Sequence, residues 1–375
     1  MTVLETQVPS RPSLPFDHAG RIGRLCQLMS ETSTDAVLLS VGSDLPYFTG
    51  YEAMASERLT MLVVRQSGDP MLLVPQLEAP RVGPGPFEMV AWSDTEDAIG
   101  IASRAIGRAG RIAVGDQMWS TFLIGLQKSL PGVEWQPASD LTKHLRAVKD
   151  PDEIATLRSA AEAVDRVLAR VRNEMRFAGR SERQVARDFA VLTVEEGHDV
   201  ASFTIIGSGP NSASPHHEPG LRVLKEGDLV VCDFGGRIGG YFSDVTRTFA
   251  VGEPVSEAKE IHALVEEANR VGRSVVGAGV PCQEVDRWAR SVIAAAGYGR
   301  YFMHRTGHGI GLEVHEYPYM VEGNDQALEL GMVFSVEPGI YLPGRFGVRI
   351  EDIVVCTENG ADVLNRADQA LISVA

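Results

Sequence analysis

Cysteine is scarce in this chain of 375 residues: four are present, and none is spaced as C-x-x-C. That excludes a disulfide framework and a thiolate zinc site, and leaves Cys26, Cys232, Cys282 and Cys356 as reduced, buried thiols. Long apolar runs are missing as well, none approaching the roughly 20 residues of a membrane helix. The opening MTVLETQVPSRPSLPF has no basic region followed by an apolar one, so no secretory signal is read and a cytoplasmic location is expected. Positive charge is in deficit. Lys and Arg number 35 against 50 Asp and Glu, a net of −15, of which residues 1–150 carry −4 and the remainder −11. Such a surface argues against nucleic acid or an anionic membrane as the main partner. It also raises the question of what the carboxylates are for.

The length favours two domains over one core. The first part alternates helical and strand patterns: an amphipathic RIGRLCQLMSE (21–31), then DAVLLSV (35–41). TMLVVR (60–65) and PMLLVP (70–75) follow as a hairpin around Ser-Gly-Asp. A helix closed by Gly110 precedes the strand RIAVG. His18 and His144 stand alone there and read as filler. Near residue 150 the pattern changes. Asp150, Pro151 and Glu153 make a capping box for a helix to about Arg172, and Ser181 with Glu182 caps a second helix ending at Gly197. Beyond it lie glycine-rich strands and two more helices near 256–277 and 282–296. The boundary is placed at 150, giving domains 1–150 and 151–375.

The stretch DLVVCDFGGRIGGYFSDVTRTFAV (228–251) reads as a hairpin. With its turn between Ile238 and Gly239, Asp233 faces Asp244. VFSVEPGIYLPGRFGVRIEDIVVC (333–356) repeats the device: a turn centred on Gly344 sets Glu337 against Glu351. Like charges opposed on apolar strands repel unless a cation lies between them. Asp228 and Asp352 lack this arrangement and read as solvated or capping. Four carboxylates with one or two imidazoles form a hard, oxygen-dominated set suited to a pair of bridged divalent ions and hydrolytic chemistry. The histidine strip HRTGHGIGLEVHE (304–316) has neither H-E-x-x-H nor a dinucleotide or phosphate-loop glycine spacing. A second histidine-bearing loop, around His216 and His217, follows a β-branched strand.

SGPNSASPHH, VVCDFG, GYFSDVTRTF, GHGIGLEVHE, SVEPGIY and GVRIEDIVV, in this order, resemble the pita-bread metallopeptidases of the prolidase and aminopeptidase P branch. The first part is similar to that family's creatinase-type domain, most visibly at SDLPYFTGY (43–51). The resemblance implies an α/β N-terminal creatinase-type domain followed by an α+β pita-bread catalytic domain. It implies two divalent ions, Mn²⁺ first with Co²⁺ or Zn²⁺ as substitutes. Their ligands would be Asp233, Asp244, His308, Glu337 and Glu351, with Asp244 and Glu351 bridging. His216 and His315 would contact the substrate and stabilise the tetrahedral intermediate, and Glu337 would shuttle the proton. The Pro-His order favours His216 over His217. His304 would support the site, Arg349 would orient carboxylates, and Tyr241 and Thr246 would line the site or pack beside it.

The implied activity is removal of the first residue from Xaa-Pro dipeptides or short peptides, by a homodimer. The alternatives are an Xaa-Pro aminopeptidase acting on longer peptides and a metal-free binding module. The retained ligands and the acidic charge disfavour the module. A dipeptidase must hold a free carboxylate, usually with an arginine. Some members of the family place one four residues after the position of His315, where this chain has Tyr319. Arg345 is the expected substitute.

Overall fold

The computed structural model of the chain describes residues 16–66 and 68–374. Residues 1–15, on which the secretory-signal reading rests, and Ser67 of the expected turn lie outside them. Helix α1 (His18–Glu31), strand β1 (Ala36–Leu39) and helix α2 (Asp44–Thr49) come first. Strands β2 (Met61–Arg65) and β3 (Met71–Pro75) make the expected antiparallel hairpin. Then come β4 (Glu88–Trp92), α3 (Ala98–Ile106), β5 (Arg111–Val114), α4 (Ser120–Ser129), β6 (Glu134–Pro137) and α5 (Ser139–Ala147). The strands form one mixed sheet in the order β4-β3-β2-β1-β5-β6. The unbroken apolar run of β1 accounts for its central place, because both its faces are covered. Val37 and Leu39 pack against α1, α2 and α5, and Ala36 and Leu38 against α3 and α4. Helix α3 ends at Ile106 and not at Gly110: Gly107 takes φ 68° and its N–H closes on the Ser103 carbonyl.

The second part opens with α6 (Pro151–Glu174), whose Asp150–Glu153 capping box forms as the sequence suggests. Helix α7 (Glu182–Glu195) is capped by Ser181, but its partner is Gln184 and not Glu182, since the residue three positions on reaches back to the cap. Strands β7 (Val200–Ser208), β8 (Leu229–Ile238), β9 (Tyr241–Phe242) and β10 (Val245–Val251) precede helices α8 (Ser256–Ser274) and α9 (Cys282–Ala295). The remaining strands are β11 (Gly307–Gly309), β12 (Glu316–Met320), β13 (Val333–Val336), β14 (Gly339–Leu342), β15 (Phe346–Arg349), β16 (Asp352–Thr357), β17 (Gly360–Val363) and β18 (Ile372–Val374). One sheet runs β18-β10-β8-β7, with β9 paired to β8; another runs β12-β11-β13-β16-β17; β14 and β15 form a hairpin. A bridge between Thr246 and Glu351 joins the two sheets. Helices α6 and α7 cover β7, β8 and β10 from one side, and α8 and α9 pack against the strands on the other. No helix among the described residues is long and apolar enough to cross a membrane.

The two hairpin registers differ in outcome. In the second, Gly339 pairs with Arg349 and Val336 with Asp352, so Glu337 does lie opposite Glu351. In the first, the turn falls on Gly239 and Gly240, with φ 57° and 87°. A two-residue turn of this hand requires positive φ at both central positions, which two glycines accept and the β-branched Ile238 does not. Asp233 therefore pairs with Thr246, and Asp244 is its diagonal neighbour instead of its direct opposite. The slip is two residues, an even number, so the side chains keep their face of the sheet.

Asp228 and Asp352 are buried, and of the two expected roles Asp228 takes the capping one, accepting from the Lys225 N–H at 3.0 Å. Asp228 is buried against Arg222 at 2.7 Å, and Asp352 against Arg247 at 2.7 Å. A further buried network ties the two domains together. Glu316, at the start of β12, accepts from Lys149 at 2.6 Å and from Arg146 of α5, which also pairs with Asp44 and Glu313. Removing one partner of a buried pair strands the other charge, at roughly 3–5 kcal/mol. Because Arg146 remains, Lys149→Met is expected to cost about 2 kcal/mol. Denaturant unfolding checks this, and Lys149→Met combined with Glu316→Leu should recover part of the loss.

Candidate metal centre

Five of the predicted residues lie together on the strands or at their ends. Asp233 lies within β8, Asp244 in the break between β9 and β10, and His308 at the centre of β11; Glu337 follows β13 and Glu351 precedes β16. The glycines flanking His308 allow the close approach this needs. A Cβ on Gly307 would stand 1.8 Å from the Ser335 carbonyl oxygen, and one on Gly309 2.1 Å from that of Tyr317. The backbone N–H of His308 donates to Ser335 Oγ, and Nδ1 donates to the Gly309 carbonyl at 3.1 Å. That bond turns Nε2 inward. Nε2 lies 3.3 Å from Glu337 Oε1 and 3.6 Å from Asp244 Oδ2. Asp244, His308 and Glu351 each present a ligand atom within 4.8 Å of the others.

The charges oppose one another. Burial, followed by the repulsion of neighbouring carboxylates, pushes Asp244 and Glu351 well above the usual carboxylate range. Burial also raises Asp233, with Arg349 pulling it back. At Glu337 burial is outweighed by the bond and charge of His308, and its carboxyl is held low. Three buried oxygens in this cluster, Asp233 Oδ1, Asp244 Oδ1 and Glu351 Oε1, have no hydrogen-bond partner. Buried carboxylate oxygens without partners, together with the Asp244–His308–Glu351 group, fit a hard divalent cation. Arg349 donates to Asp233 Oδ2 at 2.6 Å, to Thr246 Oγ1 at 3.1 Å and to the Tyr341 hydroxyl at 2.9 Å. Thr246 in turn donates to Glu351 Oε2 at 2.7 Å. The pair thus sets the carboxylate orientations.

The other predicted residues divide. The His315 ring sits 4.1 Å from that of His308, and burial, helped by the charges of His308 and Arg305, lowers its pKa to about 4. His216 is exposed on the loop whose Pro215 carbonyl accepts from Arg349. Its neighbour His217 is engaged elsewhere, bonding Glu182 at 2.8 Å. Buried Glu182 also accepts from Ser208, Asn211 and Gly220, pinning that loop. His304 bonds the Tyr341 hydroxyl at 2.8 Å, a supporting place. Two expectations are corrected. Tyr241 donates its hydroxyl to Glu153 at 2.8 Å and stands beside Arg21, away from the carboxylates. Arg345 is exposed at the tip of the β14–β15 hairpin and pairs with Glu257 of α8, so it is not the substitute arginine. Tyr319 does flank the site, opposite His308 in the β11–β12 ladder, with the Arg305 guanidinium 4.2 Å above its ring. Sequence reading missed Arg305, although it lies three residues before His308. It also missed the buried Arg146–Lys149–Glu316 network behind His315, which only tertiary contact assembles.

Residues 155–358 match the family model of metallopeptidase family M24, and residues 21–148 that of the creatinase/prolidase N-terminal domain. The chain is 43% identical to a probable dipeptidase PepE of Mycobacterium tuberculosis, an alignment covering 95% of this chain and 96% of the relative. Among solved structures, dipeptidase PepE from Mycobacterium ulcerans superposes with a TM-score of 0.88 at 41% identity, covering 96% of this chain and 99% of that one. A prolidase from Thermococcus sibiricus gives 0.91 at 38% identity, covering 96% and 100%.

The raised carboxylates make a prediction about the metal-free protein. A carboxyl whose pKa rises on folding binds its proton more tightly in the folded state, so its stability contribution falls as pH climbs above the ordinary value of about 4. Asp244→Asn removes one of the repelling charges. The chelated variant should therefore melt above the chelated wild type at pH 7, by about 2 °C if the gain is roughly 1 kcal/mol. The difference should shrink toward pH 4, and Mn²⁺ should raise the wild-type melting temperature but not that of the variant. A chelated variant melting below wild type at pH 7 would contradict the account.

Proposed function

The chain belongs to metallopeptidase family M24, with a creatinase-type domain ahead of a pita-bread catalytic domain, and we propose that it is an Xaa-Pro dipeptidase working with two divalent ions. That it is a metal-dependent peptidase of dipeptidase or prolidase type follows from the family and its relatives. The observation that supports the metal reading is the group Asp244, His308 and Glu351, whose ligand atoms lie within 4.8 Å of one another, beside buried oxygens of Asp233, Asp244 and Glu351 that have no hydrogen-bond partner. Asp233, Asp244, His308, Glu337 and Glu351 would hold the ions, with Mn²⁺ the first candidate. Bound there, paired cations supply an activated water and polarise the scissile carbonyl.

The chain's own residues supply the rest. His315 is neutral at physiological pH because its pKa is lowered to about 4, so its ring N–H can donate to the carbonyl oxygen as negative charge develops there. His216 lies near enough for its charge to be felt at Asp233 and His315, and would contact the same substrate. Glu337, ionised through its contact with His308, can take a proton from the attacking water and return it to the prolyl nitrogen as the bond breaks. Arg349 and Thr246 keep Asp233 and Glu351 turned inward, so the positions of these oxygens are set before substrate arrives.

Assay of an Xaa-Pro dipeptide beside an Xaa-Pro-Yaa tripeptide, with added Mn²⁺, tests the reading. The dipeptide should be the better substrate, and cleavage of the tripeptide alone would reassign the chain as an aminopeptidase. His315→Ala should keep its metal content and lose about 10²–10³ in kcat. Metal loss in that variant would show the histidine to be a ligand.

A further inference from the structure

Arg305 is the one half-buried arginine beside the site for which the described residues offer no ion pair or side-chain hydrogen bond. In so acidic a chain that is unusual. Most other sheltered arginines, Arg65 excepted, hold a carboxylate: Arg146 pairs with Asp44, Arg222 with Asp228, Arg290 with Asp286, and Arg349 with Asp233. Arg305 instead holds its guanidinium carbon 4.2 Å from the centre of the Tyr319 ring, a contact that positions the group while leaving its N–H donors uncommitted. Tyr319 stands opposite His308 in the ladder, and the His315 ring is 4.1 Å from that of His308. A rigid, unneutralised fork beside the two imidazoles suits a planar anion with two oxygens.

Building on the dipeptidase reading, we propose that Arg305, braced by Tyr319, binds the free α-carboxylate of the dipeptide substrate and so sets the length of peptide accepted. The carboxylate of an Xaa-Pro dipeptide lies within one residue of the bond to be cut. A further residue moves it by about 3.8 Å and puts a neutral amide in its place. The arginine thus discriminates by charge as well as by distance, and it occupies the role that Arg345 cannot fill.

The test compares Mn²⁺-loaded wild type, Arg305→Gln and Arg305→Lys on Met-Pro, Met-Pro amide and Met-Pro-Gly. Arg305→Gln should raise KM for Met-Pro about tenfold or more, the loss of one charge-assisted contact, with kcat changed little. Its kinetics on the amide should stay within about twofold of wild type, which also shows that the variant is folded and loaded. Arg305→Lys should recover part of the loss on the acid alone. Equal losses on acid and amide, or no loss on the acid, would overturn the assignment. If wild type cleaves the amide and tripeptide but not the acid, the carboxylate role fails while peptidase activity stands. If wild type cleaves none of the three, the dipeptidase reading fails and takes the arginine's role with it.

Discussion

Three buried carboxylates and the half-buried Glu337 beside them repel, and burial weakens the screening that water would give them. Such a cluster is unfavourable on its own and persists only because the surrounding strands leave its members no other place to go. Three of them sit where the ladder pauses, Asp244 in the break before β10, Glu337 after β13 and Glu351 before β16, while Asp233 lies within the paired strand β8. Oxygens of Asp233, Asp244 and Glu351 have no hydrogen-bond partner, and an unbonded buried carboxylate oxygen is a cost that a cation removes. The fold stores repulsion in the place where function needs positive charge.

Around this centre the supports are graded. Arg349 and Thr246 touch the carboxylates directly, while Tyr341 bonds Arg349 and His304. Farther out, Glu182 ties down the loop that bears His216, and Arg146 with Lys149 grips Glu316 next to His315. The last of these crosses from the first domain to the second. The N-terminal domain therefore has a mechanical part in the site, holding the turn that carries one of its histidines.

Much of this was legible in residue order. The second hairpin's register followed from a glycine at a turn flanked by alternating apolar residues, and Glu337 faces Glu351 as that pattern requires. The first hairpin's turn was misplaced by one residue, because Gly-Arg-Ile-Gly-Gly offers two ways to turn and only adjacent glycines satisfy both positive φ values. The error changed the register by an even step, so Asp233 and Asp244 stayed on one face. What residue order could not convey was which charges neutralise which. Asp352 looked solvated or capping, Tyr241 looked available and Arg345 looked suited to a substrate carboxylate. Each proved to be engaged with a partner distant in sequence. Ion pairing between distant segments has no period and leaves no local signature.

The central claim is that these five side chains make one centre for two cations. Titrating the chelated protein with Mn²⁺ in a calorimeter, with bound metal counted by elemental analysis, tests it most directly. The account predicts two ions per chain, with both lost when Glu351 is replaced by Gln. One ion per chain, none, or two that persist in Glu351→Gln would contradict it.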